Sequence, residues 1–474
     1  MLHRTLNRIV EIRPQETSAV LLGFAYFFCL LCSYYLLRPL RDAMGLVGGI
    51  GKLPWLFTAT FVSMLVLVPV FGAIASRWPP RRFVPYVYRF FAVNIVGFGV
   101  LFATGVQEIH VSRVFFVWIS VFNLFVVGIF WSVLADHFKN EQGRRLFGFI
   151  AAGGTAGALA GPALAASLVV KFGVAMLTVI AALLLELAVQ CFRRLADATA
   201  NQIQAGESES QTAPVASSAL PPPRNSLTQQ HDTRIGGGIF SGITLIVRDR
   251  YLLGIVLYML LHTFASTFLY FEQGRIVAAT LSDTASRTRL FAIVDLAVSC
   301  LTIVLQVFVT GRFIRRFGVS AALILLPAAG LLAFAGIAAW PALFMLVAAQ
   351  GIRRSVDYAI ARPAREILFT VVSREAKYKA KSVIETVVYR GGDAVSGWIF
   401  AGLTAIGIGF SGVAIISAPL TAIWIGLAIW LGRRQEKQVR QDDSAYRSAP
   451  SADDKAISRD AASPKGDAAS PKGV

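Results

Sequence analysis

Charge is what this sequence of 474 residues has least of: only 15% of it is Asp, Glu, Lys or Arg, and stretches such as 53–76 and 317–352 pass without one. With 55% hydrophobic residues and a mean hydropathy of +0.62, a soluble fold of this size would carry more apolar surface than it could bury. Water is therefore excluded as the only solvent. Histidine and cysteine are scarce too, at five and four residues. No two histidines stand at metal-ligand spacing, so neither a metal nor any other cofactor is expected. Cys29 and Cys32 form a C-x-x-C inside the first apolar run, with no βαβ pattern beside it, and read as small packing residues one helical turn apart. Acidic residues number 27 against 45 basic ones, a net charge of +18.

What fills the chain instead is a series of apolar runs, each near the ~20 residues a helix needs to cross ~30 Å of hydrocarbon. They begin near Thr17, Trp55, Val84, Val114, Leu146, Val174, Tyr251, Leu290, Val319, Pro341, Ser382 and Ile406. The expected fold is an all-α membrane protein of about twelve spans. The basic excess does not call for nucleic acid, because it sits in alternate loops: Arg77, Arg81 and Arg82; Lys139, Arg144 and Arg145; Arg193 and Arg194; Arg312, Arg315 and Arg316; Arg374, Lys377, Lys379 and Lys381. The positive-inside rule puts these loops and both termini in the cytoplasm. Residues 1–15 are charged and lead into no short h-region with a small-residue cleavage site, so no removable signal is expected. The polar text of 192–250 reads as a flexible cytoplasmic linker between six-helix bundles at 1–191 and 251–432, and 433–474, with two copies of AASPKG, reads as a disordered cytoplasmic tail.

The two bundles repeat. A glycine followed by arginines, GAIASRWPPRR from Gly72, recurs as GRFIRRFG from Gly311, and the pair Gly153 and Gly154 recurs as Gly391 and Gly392, at offsets of 239 and 238 residues. Two unrelated markers at nearly one offset indicate a parallel duplication. The arrangement resembles the major facilitator superfamily, whose loop after span two carries G-x-x-x-D-R-x-G-R; Ser76 and Arg315 stand at the aspartate position of the two copies. GALAGP at 157–162 is similar to the glycine-proline motif of facilitator antiporters, and Gly153, Gly157 and Gly161 equally suit close helix packing.

An ionisable side chain at bilayer depth costs at least ~2.5 kcal/mol, so those present face a cavity, a substrate or each other. In SYYLLRPLRDAMG, Tyr34, Arg38 and Arg41 share one helix face, an aromatic ring beside two guanidinium forks that suits a phosphate or planar anion; snorkelling, with Asp42 as neutraliser, is the plainer reading. GIRRSVDYAIARPAREIL sets Arg353, Arg354, Asp357, Arg362, Arg365 and Glu366 in one crossing. Asp357 is spaced to pair with Arg353 and Arg354, Glu366 with Arg362, and Pro363 is expected to kink the helix. Glu272 and Arg275 end span seven, and Glu385, Arg390 and Asp393 lie in span eleven. The cations suit a polyanionic substrate. Asp42, Glu272, Arg275, Asp357, Glu366, Glu385, Arg390 and Asp393 suit a gating or coupling network, and the two uses are compatible. Arg89 and Asp295 are explained by snorkelling or helix pairing.

At these residues the chain resembles the ATP/ADP translocase family, the NTP/NDP antiporters. That family ends span one with a string similar to I-L-R-D-T-K-D. In LLRPLRD, Arg38 and Asp42 match, Arg41 stands at the lysine, and Pro39 replaces an acid. Its D-P-x-K-E-M and V-K-G-K-A-x-I-D correspond to ARPAREIL and YKAKSVIE, where Arg365 stands for lysine, Glu366, Lys379 and Lys381 match, Glu385 stands for aspartate, and Arg362 replaces an acid. The likeness spans nearly the whole membrane region. It implies a substrate set of Tyr34, Arg38, Arg41, Arg353, Arg354, Arg362, Arg365, Lys379 and Lys381, and nucleotide exchange across a bacterial inner membrane. The runner-up is a carrier for another organic anion or drug, proton-coupled through Glu272, Asp295 or Glu385. An enzyme is disfavoured, since no HxxxxD pair is present and GLVGGIGKL lacks the P-loop spacing and the Ser or Thr after Lys52. The expected partners are a small anion and membrane lipid, with no oligomer required. Reporter fusions after Arg434 and within 202–230 should both report cytoplasm; a periplasmic signal from either overturns the even number of spans.

Overall fold

The computed structural model describes residues 16–448 apart from 76, 107, 139, 213–238, 341, 374–378 and 382, and among them all regular structure is helical. The helices are α1 (Thr17–Met44), α2 (Leu53–Ala75), α3 (Pro80–Thr104), α4 (Glu108–His137), α5 (Asn140–Thr212), α6 (Ile239–Arg248), α7 (Arg250–Thr280), α8 (Thr284–Leu305), α9 (Gly311–Ala339), α10 (Leu343–Val356), α11 (Arg362–Leu368), α12 (Tyr389–Ala405) and α13 (Phe410–Ser448). Wide five-residue turns of π-helix at Gln306–Thr310, Asp357–Ala361 and Ile384–Val388 join onto α9, α11 and α12. Local sequence explains many of the ends. Pro80 opens α3 with its φ preset, Asp249 caps α7 by accepting from Tyr251 N–H at 2.8 Å, and Asp283 caps α8 by accepting from Ser286 N–H at 2.6 Å; the Ser286 hydroxyl and then this N–H hold that exposed carboxyl below its usual range.

Among the described residues, eight stretches are long and apolar enough to cross a membrane. Two of them, Arg145–Ala198 and Thr284–Ala339, run to 54 and 56 residues, and each turns at one glycine, Gly173 (φ 77°) or Gly318 (φ 81°), in the left-handed region that a Cβ disfavours. Each is thus two helices joined at a sharp corner, and the corners fall immediately before Val174 and Val319, two of the expected span starts. Pro341 and Ser382, two other expected starts, lie outside the described residues, as do Ser76, Lys139, Arg374 and Lys377. The helices after them, α10 to α12, are not among the eight: the longest, α12, has 17 residues, and all three carry arginine.

The polar text beyond the bundles is helical where it is described. α5 continues to Thr212, α6 occupies part of the expected linker, and α13 runs to Ser448; 213–238 and 449–474 lie outside the described residues. The linker was expected to be flexible from residue 192 because its composition is polar. Its first turn is buried through Phe192, Leu195 and Ala196, and the residues after it are rich in Ala, Gln and Glu, which favour helix.

Two apolar cores result, one drawn almost wholly from 19–195 and the other mainly from 246–431. In the first, the glycines of α5 lie on the backbone of α1. A Cβ on Gly153 would meet the Phe24 carbonyl, one on Gly157 would stand 2.5 Å from the Phe28 carbonyl, and one on Gly161 would stand 2.8 Å from Leu36 N. Small residues are what let the helices approach this closely. Gly392 of α12 likewise lies on Thr263 of α7, where a Cβ would stand 2.5 Å from Oγ1. Gly157→Leu should therefore destabilise the protein by at least the ~1–3 kcal/mol of an overpacked core, read as a fall in melting temperature in detergent. Gly426→Ala, with open space around the position, should leave the melting temperature unchanged; equal losses at both sites contradict the packing assignment.

Candidate substrate cavity

Between the two cores lies a cavity of about 970 Å³, at the upper end of the ~300–1,000 Å³ of small-molecule sites. The first half supplies one side of its wall chiefly through α1, from Phe27 to Asp42, and the second half supplies α7, α8, α10, α11 and the segment leading into α12. Of the residues expected to bind substrate, Tyr34, Arg38, Arg41, Arg353, Arg354, Arg362 and Arg365 line it. The expected gating residues Asp42, Asp357, Glu366, Glu385, Arg390 and Asp393 line it as well.

On α1, Pro39 cannot donate to the Tyr35 carbonyl, which loosens the helix where its arginines stand. Arg41 binds Asp42 at 2.6 and 3.0 Å and lies 4.8 Å from the centre of the Phe116 ring. Tyr270 of α7 donates to the same carboxylate at 3.1 Å, so Asp42 ties the halves together. Arg38 faces a different acid, Asp295 of α8, with Nε 3.6 Å from Oδ2, and donates to Tyr358 Oη at 3.4 Å.

Pro363 has its effect one turn earlier than its own position. Lacking N–H, it cannot serve the carbonyls four and five residues back, Ala359 and Tyr358, and the chain widens into the π turn Asp357–Ala361. The neighbouring π turn supplies the missing donors: Thr310 Oγ1 donates to the Ala359 carbonyl at 2.9 Å and Gln306 Nε2 to that of Tyr358 at 3.3 Å. The widened turn also changes which charges meet. Arg354 pairs with Asp295 at 2.6 Å rather than with Asp357. Asp357 pairs with Arg365, eight residues on, at 3.3 Å and stands 3.9 Å from His262 Nε2. Glu366 pairs with Lys381 at 2.7 Å rather than with Arg362. The pairings expected from α-helical spacing are thus replaced, because a π turn shifts the register.

Two arginines of the wall have no carboxylate partner among the described residues. Arg353 is buried and bonds Gln350 at 3.1 Å, leaving its Nε without a hydrogen bond. Arg362 lies 4.9 Å from the centre of the Tyr358 ring. In all, seven arginines and six carboxylates line the cavity, one net positive charge where a strongly cationic path was expected. Arg390 stands 3.9 Å from Asp393, which also accepts from Thr267 at 3.2 Å.

Four expected site residues are elsewhere. Lys379 and Lys381 do not line the cavity, and Lys381 is engaged by Glu366 and, at 3.8 Å, Glu385. Glu272 and Arg275 form their ion pair at 2.5 Å beside a separate, mostly apolar pocket of about 440 Å³. Conversely, His262, Tyr35, Tyr270, Tyr358 and Tyr389 line the cavity and have no role assigned from sequence, and Asp295, named from sequence only as a coupling acid of the runner-up carrier, lines it too. Asp295 carried a signal, an acid in the middle of an apolar run; the tyrosines carried none, since an aromatic residue within a span is ordinarily packing.

No protein-family profile and no curated protein sequence matches the chain. Solved structures do. A crystal structure of the nucleoside transporter NupG has a TM-score of 0.56 at 14% identity, covering 90% of this chain and 99% of that one. A POT family transporter in complex with 5-aminolevulinic acid gives 0.55 at 10%, covering 88% and 96%, and a bacterial homologue of the iron transporter ferroportin, in an inward-facing state, gives 0.57 at 11%, covering 88% and 98%. At these identities the likeness establishes the fold: this is a multi-pass, all-helical membrane protein with the architecture of major-facilitator-type transporters.

Proposed function

We propose that this chain is a secondary carrier that exchanges nucleotides, of the ATP and ADP type, or related phosphorylated anions across a bacterial inner membrane, with both termini in the cytoplasm and twelve crossings in two six-helix repeats. The observation that carries the reading is the pair Arg353 and Arg362, two guanidinium groups without carboxylate partners, beside a wall of tyrosines in a cavity between the halves. Guanidinium forks match phosphate oxygens, and an aromatic face takes a planar base. Each of the other five arginines has a carboxylate within ion-pair distance, Arg38 and Arg354 sharing Asp295, so a polyanion has two immediate partners and gains more only by drawing Arg38, Arg354 or Arg365 from their acids. An empty carrier keeps Arg353 and Arg362 without an ion pair of their own, and a bound anion supplies one. Reorientation is then slow when empty and fast when loaded, which makes exchange obligatory. The structural neighbours differ in kind, a nucleoside transporter, a peptide transporter and a homologue of an iron transporter, so the nucleotide assignment rests on the wall chemistry and on the resemblance of the span-one and span-ten strings.

In liposomes, internal ADP should accelerate uptake of labelled ATP far above that of empty vesicles, with inorganic phosphate a poor substitute. If another organic anion both exchanges and stabilises the purified protein against heat while ATP does neither, the nucleotide assignment fails and the carrier stands. Arg353→Ala and Arg362→Ala should each weaken ATP binding by ~1.5–3 kcal/mol, the range for a lost hydrogen bond to a charged group. Arg41→Ala and Arg365→Ala should also lower the melting temperature, because each strands a buried carboxylate, Asp42 or Asp357. Equal thermal losses for all four would contradict the division into free and paired arginines.

A further inference from the structure

Outside the cavity, one charged group stands where nothing covers it. Arg89 of α3 binds Glu186 of α5 through Nε at 2.9 Å and Nη2 at 2.7 Å, and Gln190 donates to the same carboxylate at 2.6 Å. The two charged side chains remain 43% and 40% exposed. Their surroundings are exposed apolar side chains: Phe90, Val93, Leu183 and Leu187 are 53–72% exposed. This is the face the bundle turns toward lipid.

Its depth follows from the helices. The same two helices are joined at their polar ends by Arg81 and Asp197, 3.6 Å apart and largely exposed, at headgroup level. Arg89 lies eight residues beyond Arg81 and Glu186 eleven residues before Asp197, roughly 12 and 16 Å of helix rise. The pair is therefore near the middle of a hydrocarbon layer of about 30 Å. Half-exposed charge at that depth is costly, and residues there ordinarily face protein.

We propose that this face is the contact surface of a homodimer in the bilayer, with Arg89 of each copy meeting Glu186 of the partner subunit across a two-fold axis. The argument for a second copy is charge complementarity. The closed pair still presents unused Arg89 Nη1 donors beside unused carboxylate lone pairs, and an isologous contact sets each against its opposite. An anionic lipid would satisfy Arg89 only while repelling Glu186, and its headgroup would have to descend the same 12–16 Å. Leu183, Leu187, Phe90 and Val93 supply the apolar rim.

The test uses the full chain in lipid nanodiscs and liposomes. Wild type should be dimeric by native mass spectrometry. In a Cys191→Ser, Cys300→Ser background, Leu187→Cys should cross-link between copies, and Leu332→Cys, 73% exposed on the other half, should not. Arg89→Glu and Glu186→Arg should each lose the dimer when expressed alone. Expressed together they should recover it as a heterodimer, since each then supplies the charge that the other lacks. The double variant Arg89→Leu, Glu186→Leu, which suits a lipid-facing surface and removes no core contact, should be folded and monomeric. Monomeric wild type at every protein-to-lipid ratio, cross-linking at Leu332 as strong as at Leu187, or no heterodimer from the complementary pair would each overturn the proposal. A monomer that retains phosphatidylglycerol through Arg89 would overturn it too, and would reassign the cluster to lipid.

Discussion

A carboxylate removed from water is tolerable only where cations share its surroundings, and Asp295 meets that condition with one guanidinium from each half of the molecule. Only 2% exposed, it holds Arg354 of its own half at 2.6 Å and Arg38 of the other at 3.6 Å. The second distance is an ion pair without a hydrogen bond, so the tie within the half is tighter than the tie between halves. Much of the cavity's character follows. Arg38 and Arg354 are held in place and share one neutralising charge, Tyr358 is set among three arginines, and the halves are joined through charge as well as through the Tyr270 to Asp42 bond.

On the proposed reading of an anion carrier, the neutralisation matters for recognition. A wall with seven uncompensated arginines would bind polyanions tightly and release them slowly. The six lining carboxylates, Asp42, Asp295, Asp357, Glu366, Glu385 and Asp393, leave one net positive charge and reduce that grip, while keeping guanidinium groups that an incoming anion can recruit. Affinity becomes a difference between two sets of ion pairs. A carrier must also let go, and such a balance suits it better than an unopposed cationic well.

Backbone geometry and site chemistry meet at Pro363. The missing amide widens the helix, the widened turn moves Asp357 onto Arg365 and frees Arg354 for Asp295, and two side chains from a neighbouring π turn satisfy the carbonyls left behind. In a membrane such carbonyls have no water to turn to. The polar residues Gln306 and Thr310, near the end of an otherwise apolar run, are explained by this need.

Membrane class, the helical fold, span starts near Val174 and Val319 and close helix packing at Gly153, Gly157 and Gly161 were legible in the sequence, because apolar run length and small-residue spacing act locally; that Gly173 and Gly318 make the corners and that α1 is the helix packed on those glycines came only from the structure. The concentration of charge in the first and tenth runs was legible as well, since hydrocarbon makes every charge conspicuous. Partnership was not. Counting three or four residues along a helix paired Asp357 with Arg353 and Arg354, and Glu366 with Arg362, whereas the folded chain assigns Asp357 to Arg365, Arg354 to Asp295 and Glu366 to Lys381. Lys379 and Lys381 joined the expected site by resemblance alone and lie outside the cavity. The reason is physical: burial penalises charge one residue at a time and so leaves its mark in the sequence, but an ion pair forms between whichever opposite charges the packed helices bring within reach, and that distance exists only in three dimensions.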